Sequence, residues 1–290
     1  MSDAQVHIPA APGLNRRLAL GAGLIGGLAG MAPAQASVAA PSATEGMCRI
    51  TPQATQGPYW IDPKLERSDI TEACKGVPLQ LSIKVVDAAT CRPFERARVD
   101  IWHCDAQGVY SAFDGQPGVG STVGQTFLRG HVFTGADGVA LFSTIYPGWY
   151  RGRTPHIHVK VFLDDGGAEN LLTCQLFFPD ALSEFLFANA PDYGRNETRD
   201  TLNRFDGIAQ GQGYANFGAI SEQADHYAMT VTLGVDRTAR NIEPAMGAGG
   251  PGGPPPSDGR GPPSGGFGGP PSESSLPPEQ RIAALVPQKA

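Results

Sequence analysis

Two histidines one residue apart, His156 and His158, open the run HIHVKVF and follow the segment YPGWYRGRTP. If the run is a strand, residues i and i+2 face the same way, and both imidazoles project from one face as a pair of metal ligands would. Two donors do not make a site. Zinc or copper would draw on cysteine, a further histidine or a carboxylate close by. What stands close by is tyrosine: Tyr150 six residues before His156, Tyr146 four residues earlier still, and Tyr110 after the run VDIWHCD. Two phenolates and two imidazoles form a mixed donor set suited to a hard, highly charged ion such as ferric iron. Tyrosinate is an iron ligand in haem catalase. Taken alone, H-x-H is more often a pair of surface or core histidines, and spacing does not choose between Tyr146 and Tyr150.

Short strands would have to position such a set. VPLQLSIKVVD (77–87), ARVDIWHCD (97–105), GVALFSTIY (138–146) and HIHVKVFL (156–163) carry alternating or continuous apolar character. DAATCRP, SAFDGQPGVGST and TGADG between them have turn composition. This pattern predicts a mainly β chain, an antiparallel β-sandwich core with loops and a few short helices. Helical pattern is scarce, and only DALSEFLFAN and ETRDTLNRF offer two or three turns each.

The ends read differently. Arg16 and Arg17 precede a small-residue apolar run from Leu18 to Met31, followed by Ala34-Gln35-Ala36, which predicts a signal peptide over 1–36. The run is shorter than the ~20 residues that span a membrane, so no span is expected once the signal is removed. Paired arginines before a glycine-rich, weakly hydrophobic run resemble the twin-arginine export signal, whose cargo is typically folded before export. After residue 243 the chain is dominated by glycine and proline, a composition without the side chains needed to offset the entropy of ordering, and 243–290 is read as a disordered tail. One catalytic or binding domain, 37–242, lies between. The net charge of −6, with scattered Lys and Arg, argues against a nucleic-acid partner. Of five cysteines, Cys91 and Cys104 bracket one strand and its preceding turn and are expected to pair, as an exported chain permits.

The stretch VDIWHCDAQGVYS, then FLRGHVFTGADGVALFSTIYPGWYRGRTPHIHVKVF and LLTCQLFFPD, with TPQATQGPYW upstream, closely resembles the intradiol ring-cleaving dioxygenases, and in particular their exported single-chain branch. The resemblance implies Tyr110 and Tyr150 as equatorial and axial tyrosinates of a non-haem Fe(III), with His156 and His158 completing the ligands. It selects Tyr150 over Tyr146 by the P-G-x-Y register. It implies a catalytic Arg153 and a supporting Gln175, and a catechol-type substrate opened by O2 between its two hydroxyls. On this reading Tyr150 leaves the metal as substrate arrives and serves as base. Tyr59 and Trp60 are expected to border the channel, since aromatic walls suit a planar aromatic guest. His103 stands where the family often has glutamine, and His103 and His131 are expected to be structural. A carboxylated catechol would need a cation, for which Arg151 and Arg195 are the candidates. The alternative reading is a secreted β-sandwich binding module that kept the fold and lost turnover, because fold does not imply function. Oligomeric state is open.

Overall fold

The computed structural model describes residues 48–163 and 170–239. The expected signal peptide over 1–36, the tail over 243–290, and both ends of the 37–242 domain lie outside them. In chain order the elements are β1 (Pro78–Asp87), β2 (Arg98–Trp102), β3 (Arg129–Phe133), β4 (Val139–Ile145), β5 (His156–Phe162), β6 (Asn170–Phe177), α1 (Asp180–Asn189), α2 (Gly207–Gln212), β7 (Ala219–Glu222) and β8 (Tyr227–Val235).

The strands form two four-stranded sheets, ordered β4-β1-β8-β7 and β3-β2-β5-β6. Their pairings are antiparallel except for β1 with β8, which run parallel in the register Leu79 to Tyr227. The sheets share one core. Leu79, Leu81, Ile83 and Val85 of β1 meet Val99 and Ile101 of β2, Ile157, Val159 and Val161 of β5, and Leu172, Cys174 and Leu176 of β6 in a single buried cluster. Burying such branched and aromatic side chains contributes about 1.5–3 kcal/mol each.

The two sheets differ on their far faces. In β1 the alternate residues Pro78, Gln80, Ser82 and Lys84 are exposed or half-buried, as a half-buried strand requires. In β2, β5 and β6 every residue is buried. The alternates that do not face the core therefore share a second, covered surface: Arg98, Asp100 and Trp102, then His156, His158 and Lys160, then Thr173 and Gln175.

The cover comes from residues preceding β1 and from the region around α2. β6 is an edge strand, and an edge presents backbone groups that need partners. Ala54 N donates to Thr173 O (2.7 Å), and Thr173 N donates to Gln53 Oε1 (2.8 Å). Gln175 N donates to Gln212 Oε1 (3.0 Å), and Gln175 O accepts from Asn216 Nδ2 (3.1 Å).

Two local expectations are corrected. DALSEFLFAN is the helix α1, but ETRDTLNRF forms no α-helix, only a 3₁₀ turn at Asn203–Phe205. The reason lies in its polar side chains. Buried Arg199 donates to Asp180 Oδ1 (2.8 Å) and Glu184 Oε1 (3.0 Å) of α1, and Asn203 N donates to Asp180. A segment whose backbone and side chains serve a neighbouring helix does not close its own turns. The disulfide also differs: Cys91 pairs with Cys48, their Cα atoms 5.2 Å apart, not with Cys104. Cys91 belongs to the turn leading into β2 and Cys104 follows the strand's far end, so the extended strand separates them. The Cys104 thiol is buried and directed at Gly148 O (3.6 Å).

Candidate metal centre and catalytic site

β5 starts at His156, and the alternation of the strand aims His156 and His158 at the covered face. Their Nε2 atoms are 3.2 Å apart. Tyr150 Oη lies 3.1 Å from His156 Nε2, and Tyr110 Oη lies 3.3 Å from the same atom. The four side chains that the resemblance implies as ligands thus converge on one point from three parts of the chain.

The arrangement fits a cation. His156 Nδ1 donates to Thr154 O (2.7 Å), which turns the single Nε2 lone pair toward the cluster. One lone pair makes one hydrogen bond, yet three polar atoms crowd it at 3.1 to 3.3 Å. A metal ion among them would take a lone pair from each. Burial holds His156 neutral by pulling its pKa to about 3, and burial with its charged neighbours holds His158 well below the usual range. Both are therefore in the form that ligates. Among the described residues no three His, Cys, Asp or Glu form a metal-holding cluster, so a centre here takes half its donors from tyrosine.

The walls are aromatic. Trp102 stacks on His158 (centroids 4.6 Å, 9°) and Trp60 tilts against Trp102 (4.6 Å). Tyr59 stacks on Tyr110 (4.4 Å, 17°). Tyr59, expected as a channel border with Trp60, packs on the candidate ligand Tyr110, while Trp60 reaches His158 only through Trp102. Gly57 has φ +71°, and a Cβ there would sit 3.2 Å from His158 Cε1, so close approach and left-handed backbone both require glycine.

Tyr110 is buried, at 1% exposure, and its loop is pinned on both sides. Its N–H donates to Gln116 Oε1 (2.7 Å) and its carbonyl accepts from Gln116 Nε2 (2.7 Å) and Thr122 Oγ1 (2.8 Å). Arg129 of β3 then ties loop to cover, donating to Ser111 Oγ and Ser111 O (2.8 Å each) and to Tyr59 O (2.6 Å). Burial lowers its pKa to about 10, leaving a cation 5.9 Å from the Tyr110 ring centroid.

Arg153 and Gln175, each implied separately by the resemblance, are joined: Arg153 NH2 donates to Gln175 Oε1 (2.5 Å). Gln175 Nε2 donates to Thr55 O (3.2 Å). Arg153 Nε donates to Asp206 Oδ2 (2.8 Å). Residue-level reading missed Asp206, Arg129 and Gly57. The available signal for Asp206 was its place as N-cap of α2, a helix disguised by the two glycines of GIAQGQ.

The other candidates lie elsewhere. Tyr146 is in the main core, its hydroxyl on Ser183 Oγ (2.7 Å) and its ring against Phe178 (4.5 Å). His103 bonds Cys104 O (2.8 Å) and Thr144 Oγ1 (2.7 Å), and burial lowers its pKa to about 4. His131 sits edge-on to Phe133. The exposed Arg151 is paired with Glu197 (3.1 Å), and the Arg195 guanidinium lies over Trp149 (4.7 Å).

A two-sheet protein whose covered outer face gathers two histidines, two tyrosines and an arginine is of the class that can seat a hard metal beside an anionic ligand. A family model described as dioxygenase matches residues 56–189. The structure is similar to an intradiol ring-cleavage dioxygenase from Tetranychus urticae, with 31% identity and a TM-score of 0.62, covering 67% of this chain and 98% of that one. A further dioxygenase crystal structure matches at 30% identity and a TM-score of 0.61, covering 67% and 97%. No curated protein matches. The chain belongs to the intradiol ring-cleavage dioxygenases, a family generally dependent on Fe(III).

Proposed function

We propose that the protein is a non-haem Fe(III) dioxygenase that opens catechol-type rings between the two hydroxyls, giving cis,cis-muconate-type diacids. The convergence of Tyr110, Tyr150, His156 and His158 on one point beside Arg153 carries this reading. Tyr110, Tyr150, His156 and His158 would hold the ion. Bound there, ferric iron would supply acidification of the catechol hydroxyls.

The protein's own groups divide the remaining work. Tyr150 is half-buried where Tyr110 is buried, so the Tyr150 side chain has room to move as substrate enters, and its Oη would receive a catechol proton. Arg153, a fixed cation, faces the negative charge that develops on the substrate oxygens. Gln175 holds one edge of that guanidinium. Tyr59, Trp60 and Trp102 keep water from the donor set and present flat walls to a planar ring. The overall change balances without an outside reductant: the bond between the hydroxyl-bearing carbons breaks and both atoms of O2 enter the product.

The export signal expected at 1–36 supports a site of action outside the cytoplasm. The Cys48–Cys91 disulfide supports that placement, because such bonds persist in oxidising compartments.

An absorption spectrum of the mature protein, recorded anaerobically with and without catechol, tests the reading. A tyrosinate-to-iron charge-transfer band that shifts on adding catechol is expected, followed under O2 by diacid formation from one or more of a panel of catechols. A protein that stays colourless when supplied with iron would overturn it. A coloured protein inert toward every catechol would favour the binding module.

A further inference from the structure

We propose that Asp206 is a positioning residue for Arg153, an inference that rests on the ring-opening reading above. Asp206 is 2% exposed, and its two oxygens have separate tasks. Oδ1 accepts from Ile208 N (2.9 Å) and Ala209 N (3.1 Å), capping α2. Oδ2 accepts from Arg153 Nε (2.8 Å) and Thr154 N (3.0 Å). A cap needs one side-chain oxygen, and serine or asparagine provides it as well as aspartate does. The charge and the second oxygen are directed at the turn that carries Arg153.

The consequence for Arg153 is geometric. Its guanidinium is planar, with five N–H donors in a fixed fork. Asp206 engages Nε and Gln175 Oε1 engages NH2. Two anchors fix the plane, and NH1, engaged by neither, is the edge left for an anionic oxygen of the substrate. Asp206 also supplies the countercharge for a largely buried guanidinium, since an unpaired buried charge is costly. Thr154, next in the chain, is clamped by the same segment: its N–H is held by Asp206, and its hydroxyl donates to Asn203 Oδ1 (2.8 Å). Residue 206 lies beyond the 56–189 span matched by the family model.

The test compares iron-loaded wild type with Asp206→Asn, Arg153→Gln and the double variant. Asp206→Asn keeps an oxygen for the α2 cap and turns an amide N–H₂ toward Arg153 Nε. We expect kcat/KM for catechol to fall by about 10- to 100-fold in Asp206→Asn, the usual size of effects on groups that orient a site. The tyrosinate charge-transfer band of the resting protein stays in place, and the anaerobic catechol-induced shift needs more catechol to saturate. The double variant is expected within about twofold of Arg153→Gln, because residues acting through one another are not additive. Full turnover by Asp206→Asn, or additive losses in the double variant, overturns the proposal while wild-type activity keeps the function reading intact. Should Asp206→Asn not fold, Asp206→Glu, which keeps the countercharge but moves the carboxylate by one methylene, takes its place with the same expected loss. A wild type that takes up iron and opens no catechol overturns the function reading, and this proposal with it.

Discussion

Tyr146 and Tyr150 share one short segment and one side-chain chemistry, yet their surroundings assign them opposite work. Tyr146 is buried in the main core with its hydroxyl on Ser183, whereas Tyr150 Oη meets His156 Nε2. Tyr146→Phe is expected to cost about 1 kcal/mol in urea unfolding, the worth of one buried hydrogen bond, and to leave the iron colour intact. Tyr150→Phe removes a tyrosinate, so the charge-transfer band weakens and turnover falls by more than about tenfold. The reverse pattern would show the ligand assignment to be wrong. His103 supports a pH prediction of known sign. Its folded pKa is depressed from 6.5 to about 4, so the unfolded chain binds the proton first as pH falls. The stability it contributes is fully present above pH 6.5 and is lost between 6.5 and about 4, a change of about 3 kcal/mol. His103→Gln keeps a partner for Thr144 without a titrating ring. Its chemical unfolding across that range should show a shallower pH dependence than wild type, and identical slopes would refute the assignment. The pair His156 and His158 was legible because alternation on a strand is local. Arg129, Gly57 and Asp206 were not, because what makes each matter lies far along the chain: Arg129 NH1 bonds Tyr59 O across 70 residues.

At the scale of elements, the site depends on a sheet covered on both faces. β1, β2, β4 and β5 could be read from apolar pattern, and α1 from its own segment. β3 was missed because RGHVF is short and carries Arg, Gly and His, whose burial depends on partners from other elements. β8 does alternate, burying Met229, Val231, Leu233 and Val235, but its parallel pairing with β1 joins segments far apart in sequence, which no local pattern encodes. The cover segment is a similar case. Nothing in TPQATQGPYW announces that Gln53 will pair with the β6 edge or that Gly57 will lie on His158. Gly57→Ala tests that contact. Its Cβ must enter at 3.2 Å from His158 Cε1 on a backbone with φ +71°, a strain of about 1 kcal/mol before any movement of the imidazole. Iron affinity, measured by competition with a chelator, is expected to fall about tenfold. Unchanged affinity would mean that the cover tolerates displacement without moving the ligand.

Over the whole molecule, the same cover segment links chain start, sheets and site. Cys48 is bonded to Cys91 in the turn after β1. Thr51 N donates to Gly234 O of β8 (2.9 Å), the next residues close the β6 edge, and Gly57 and Tyr59 lie against His158 and Tyr110. The disulfide thus stands upstream of several independent attachments, and it closes a loop across a sequence separation of 43 residues. Chain entropy sets the stabilisation from such a loop at up to about 4 kcal/mol, with ~2–4 typical. Because the hydrogen bonds from Thr51 onward hold without it, its loss should weaken the fold more than the site. A Cys48→Ala/Cys91→Ala variant is accordingly expected to unfold at lower urea, by about 2–4 kcal/mol, while its charge-transfer band and catechol turnover at 25 °C match wild type. Removing both cysteines also separates this effect from any exchange with the free thiols of Cys74, Cys104 and Cys174. If colour and turnover fall together with stability, the cover is held by the disulfide rather than by the β6 edge. The candidate site would then answer to the redox state of its surroundings.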